Sequence, residues 1–246
     1  MSADKPAPGN PFGIVEALIG LVGGFALSIL AVSVYDATEH VPATATTVGG
    51  TVISLLGLWM GMVAAVLLSA RAASRSVPEA FGLRLCPWPD LPLGVVVGVA
   101  SQFLLVPLLE LPLRPFVHHL SERLGHPTKV LLGPASSGGT GALVLIAILI
   151  CVGSPVVEEL FFRGLVLRAV LGRVQSLPRR IGPAVAIVVT GLLFGLVHFE
   201  ALQFLGLAGF GVVLGVLAWR TGRLGPSIIA HMAFNASTVI AYVYVH

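Results

Sequence analysis

The sequence predicts an all-α, polytopic membrane bundle of about seven to eight transmembrane helices, and three observations predict it. Of the 246 residues, 56% are hydrophobic and only 10% are charged, against about a quarter charged in soluble domains. Mean hydropathy is +0.98. The apolar residues come in runs of roughly 20, the length that crosses a hydrocarbon core about 30 Å thick, and the alternating pattern of a membrane barrel is absent. So few charges cannot coat a soluble domain or carry a nucleic-acid interface. The net charge of +3 comes from scattered loop arginines, as loops on the inner side of a cell membrane require.

The elements follow in order. Residues 1–13 are a short polar N-terminus without a small-residue cleavage site, so the run after it reads as a retained span. Ile14–Tyr35 is the first apolar run, ended by Asp36, Glu39 and His40. Val48–Ala70 closes at Arg71 and Arg75. Leu91–Leu109 follows a polar connection, and the arginines from Arg71 to Arg84 place that connection on the inner side. Glu110–Thr140 mixes charges with Pro and Gly and reads as an amphipathic or irregular loop on the outer side. Gly141–Val174 is one long helical pattern, with a kink expected at Pro155. Ile181–Phe199 and Ala201–Trp219 are separated by little more than Glu200. Pro226–Val245 is the last span, opened by a proline at a permitted position. The chain thus divides into the N-terminus, transmembrane helices and loops over 14–140, and a C-terminal unit over 141–246. Cys86 and Cys151 have no partner at metal or redox spacing and read as packing residues.

Five ionisable residues lie inside these apolar patterns: Glu158, Glu159, Arg163, His198 and His231. Each costs several kcal/mol to insert, which makes it a functional candidate by default. Glu159 and Arg163 are four apart and share a helix side, whereas Glu158 points about 100° away. One carboxylate is neutralised while its neighbour stays free. His231 and Asn235 share a face in the same way, as do Phe194 and His198. Taken singly, the acids read equally well as a helix-end cluster and the histidines as interhelical glue. Together, two carboxylates, two imidazoles and an amide on three helices make a hydrolytic kit.

Three motifs occur in order: Glu158-Glu159-Leu160-Phe161-Phe162-Arg163, Phe194-Gly195-Leu196-Val197-His198 and His231-Met232-Ala233-Phe234-Asn235. This pattern resembles that of the CAAX protease and bacteriocin-processing family of intramembrane endopeptidases. The likeness runs from about Gly141 to the C-terminus, with a Phe81-Gly82-Leu83-Arg84 element ahead of it. The resemblance implies that Glu158 activates the attacking water, with His198 orienting it or binding a metal. It gives Glu159 and Arg163, supported by Phe194, the task of holding the site. His231 and Asn235 then polarise the scissile carbonyl or stabilise its oxyanion. Glu158, His198 and His231 are the candidate ligands should a zinc ion take part, although the zinc signature H-E-x-x-H is absent. The implied partners are membrane lipid and a peptide or protein substrate, with no nucleic acid. Aspartyl and serine intramembrane proteases do not fit, because Asp4, Asp36 and Asp90 fall outside the apolar runs and no G-x-S-G motif occurs. Two rival readings are a proton- or ion-coupled transporter using the same residues as a relay, and a non-catalytic immunity or scaffold protein of the same fold.

Overall fold

The structure, a computed structural model, describes residues 12–42 and 45–245. The polar stretch Met1–Pro11 lies outside them. The described residues form nine helices and no strand: α1 (Ile14–Thr38), α2 (Val48–Ala72), α3 (Val77–Phe81), α4 (Pro87–Leu113), α5 (Leu120–Ser137), α6 (Thr140–Arg173), α7 (Ile181–Leu196), α8 (Phe204–Thr221) and α9 (Gly225–Val245). Six of them, α1, α2, α4, α6, α8 and α9, are long and apolar enough to cross a membrane, and α7 is a shorter apolar helix of 16 residues. The protein is a multi-pass membrane protein. Side chains such as Ile19, Val22, Val96 and Leu104 stand exposed around the bundle, where lipid replaces water as the solvent.

Lipid tails are as apolar as leucine, so the helices associate by close approach rather than by excluding water. Between α1 and α2, a Cβ added at Gly57 would lie 2.7 Å from the Ser28 backbone, and one at Gly61 would strike the Gly24 backbone. Beside this seam the Ser28 and Ser54 hydroxyls bond at 2.8 Å. The N-terminus of α2 is capped by Thr47, whose hydroxyl accepts the Gly50 N–H. In α3 a capping box joins Ser76 to Glu79, and the Ser76 hydroxyl, donating at 2.7 Å, holds the Glu79 carboxyl below its usual range.

Several boundaries differ from the sequence expectation. The segment read as a loop, 110–140, is mostly helix, because α4 runs on to Leu113 and α5 follows. The prolines, glycines and charges of α5 hide a stripe on which Leu132 and Ala135 are buried. Asp36 lies in the last turn of α1 and Asp90 in the first turn of α4, so neither is outside a helix. The long C-terminal helix α6 is present, yet it widens rather than simply kinking at Pro155. π-Helical turns at Leu149–Gly153 and Leu160–Val166 flank the short segment Ser154–Glu159. A widened turn re-aims the side chains beside it, and such turns recur at functional sites. Finally, α7 ends at Leu196, three residues before its apolar run does. Phe199 has a φ of 55°, a left-handed conformation that a helix cannot continue through.

Candidate active site

Glu159 and Arg163 sit on one side of α6 and are almost fully buried, at 0% and 1% exposure. The guanidinium donates to Glu159 Oε1 at 2.6 Å and to the Gly211 carbonyl of α8 at 2.9 Å. That carbonyl is within reach because α7 and α8 cross at two glycines; a Cβ on Gly211 would lie 2.9 Å from the Gly191 Cα. Arg163 also lies 4.5 Å from the centre of the Phe194 ring, whose face attracts a cation. Glu159 Oε1 takes a second bond at 3.1 Å from His231 Nδ1 of α9. A carboxylate accepts and cannot donate here, so His231 carries its proton on Nδ1 and turns Nε2 the other way.

That other way leads to Glu158. Its Oε2 lies 3.9 Å from His231 Nε2, one helix position round from Glu159 and on the wall of a cavity of about 500 Å³. His198, His231, Asn235 and Phe194 line the same cavity. The structure therefore brings Glu158, His198, His231 and Asn235 to one space, with Glu159 and Arg163 packed behind it. Phe194 is the partition, with ring centres 4.7 Å from His198 and 5.6 Å from His231.

Two placements differ from the expectation. His198 is in the turn after α7 rather than in the helix, and its Nδ1 donates to the Phe194 carbonyl at 2.6 Å. With the proton fixed on Nδ1, Nε2 is an acceptor in the neutral ring. Asn235 donates its amide to the Ile150 carbonyl at 2.8 Å, inside the first widened turn of α6, so only its second amide hydrogen remains for an oxyanion. The candidate zinc set of Glu158, His198 and His231 shares the cavity. Among the described residues, however, no three His, Cys, Asp or Glu side chains form a group that would hold a metal ion.

The cavity has walls that the sequence did not announce. Leu124, Thr128 and Leu131 of α5 cover it, and Gln203 of the α7–α8 turn donates to the Leu124 carbonyl at 2.7 Å. Gln102 and Glu110 of α4 also face it. The only sequence signal for these two is their spacing, since 102, 106 and 110 repeat every four residues along one helix face.

Residues 140–237 match the family model described as Rce1-like, type II CAAX prenyl endopeptidase. The segment contains all three motifs. No curated protein and no solved structure matches the chain. The C-terminal part of the chain, which carries α6, α7, α8 and most of α9, is thus similar to the Rce1-like type II CAAX prenyl endopeptidases.

Proposed function

We propose that this membrane protease cuts a peptide bond within the cavity, with Glu158 as the general base for the attacking water. The observation that carries the reading is the division between adjacent acids. Glu159 is committed through Oε1 to Arg163 and His231, while Glu158, one position earlier, has no side-chain hydrogen bond among the described residues and lines the cavity. A base must reach the proton it abstracts and be free to take it. His198 Nε2, an acceptor pointing away from Phe194, steadies the same water by its other hydrogen. The water oxygen adds to the scissile carbonyl, and Glu158 takes its proton. His231 Nε2, close to Glu158, relays that proton to the leaving amide nitrogen. The remaining amide hydrogen of Asn235 supports the oxyanion, where donors count for most. In this reading no step needs a metal. Substrates are peptides or proteins presented at the membrane, and CAAX-type tails are the first to try.

The test compares Glu158→Gln with the wild type in proteoliposomes on such tails. Cleavage is expected to fall about 100-fold to 10,000-fold, the usual share of a general base, with folded yield unchanged. Undiminished cleavage would overturn the assignment. Activity that vanishes on chelation and returns with zinc would overturn the proton-only mechanism.

A further inference from the structure

Besides Glu158, two acids line the cavity among the described residues, Glu110 and Glu200, and no described Lys or Arg does. Arg163 is screened from it by Phe194 and is bound to Glu159. Glu110 is 9% exposed and, among the described residues, makes no hydrogen bond or ion pair. Its carboxylate lies against α8 at a point where the chain supplies no side chain; a Cβ on Gly206 would come within 3.2 Å of Oε1. Gln102, two turns earlier on the same face, leaves its own Oε1 buried without a partner. An acid so placed is expensive to keep in a membrane unless something of opposite charge meets it. Glu110 and the Gln102 carbonyl thus present unpartnered acceptors to the cavity.

We propose that Glu110, aided by Glu200, is a specificity site that receives a lysine or arginine side chain of the peptide substrate. Gln102 accepts a further hydrogen from the same group or from the substrate backbone. This rests on the protease reading above and adds the charge of the substrate to it. A cationic side chain beside the scissile bond is drawn in by three carboxylates, and an acidic one is repelled by them. Among the described residues no Lys or Arg stands in the wall to hold an acidic side chain.

The probes are quenched fluorescent peptides carrying Lys, Gln or Glu at each position flanking the cut. Cleavage is measured with the wild type and Glu110→Gln. Binding is measured by anisotropy with Glu158→Gln and the double variant Glu158→Gln/Glu110→Gln. The expected result is a preference for Lys over Gln peptides that drops about tenfold when Glu110 is neutralised, as for a lost buried charge partner. In Glu110→Lys the preference is expected to turn towards Glu peptides. An unchanged Lys-to-Gln ratio in both backgrounds would overturn the inference. Lys-selective binding without any cleavage by the wild type would overturn the protease reading alone, and binding of no peptide would overturn both.

Discussion

Two arginine–carboxylate pairs hold the C-terminal helices, and they differ in what surrounds them. Glu159–Arg163 lies inside the bundle with both side chains shielded. Asp90–Arg223 joins the first turn of α4 to the connection ahead of α9, and there the arginine is a quarter exposed. Both carboxylates have a second partner. For Asp90 it is the Cys86 backbone N–H at 2.8 Å; for Glu159 it is His231. Asp90–Arg223 fastens chain to chain, whereas Glu159–Arg163 fastens His231, a residue that faces the cavity. The same chemical device serves as a clasp in one place and as the back wall of a reaction site in the other. Burial separates the arginines and not the acids, because Asp90 and Glu159 are both fully buried while only Arg223 reaches water.

The comparison breaks if the two pairs respond alike to mutation. Arg163→Ala should be the most damaging change, costing about 3–5 kcal/mol by stranding Glu159. Thermal unfolding and folded yield in detergent would report it, and equal yields of Arg163→Ala and wild type would refute the central role. Arg223→Ala should cost less, about 1–3 kcal/mol, because Asp90 keeps its backbone donor. Cleavage per folded molecule should stay within a few-fold of wild type, and a loss as deep as that of Glu158→Gln would show that the clasp reaches the chemistry. Phe194→Leu sharpens the contrast, since it removes the ring against Arg163 without touching Asp90. A loss of about 0.5–2 kcal/mol is expected from the cation–ring contact, with a larger fall in cleavage than in stability; the reverse order would reduce Phe194 to packing. The smallest effect concerns α3. Glu79 has a lowered pKa when folded, so its contribution is complete above the unfolded glutamate value and is lost as pH falls through the folded one. Ser76→Ala should remove that acid-side dependence, and a melting curve against pH that is identical in the variant would dismiss it.

Much of the site was legible because its logic is helical phase. Four-residue spacing put Glu159 with Arg163 and set Glu158 apart, and the structure has them so. The apolar runs likewise became helices, since span length follows from bilayer thickness. What escaped was set by tertiary context. The early end of α7 depends on the backbone of Phe199, a residue type that gives no warning of a left-handed conformation. The cover formed by α5 was obscured by Pro127 and Pro134, which lie inside a helix all the same. Glu110 looked like the polar border of a span, whereas α4 continues past it and turns it inwards. The family resemblance implies an oxyanion role for Asn235 but gives no sign that one of its amide hydrogens is already used. Its bond to Ile150 depends on where the neighbouring helix places that carbonyl, which the pattern of α9 does not encode.

The crossing of α7 and α8 has a consequence for tolerance to change. Gly191 and Gly211 have no side chain to contribute, yet the Gly211 carbonyl can meet Arg163 only while the two backbones stay in contact. An added methyl at either glycine would push α8 outward, taking away the acceptor and leaving Arg163 to Glu159 alone. In a saturation scan scored by cleavage, these two positions should therefore rank beside the acids and histidines, silent in chemistry and as intolerant as the residues that perform it.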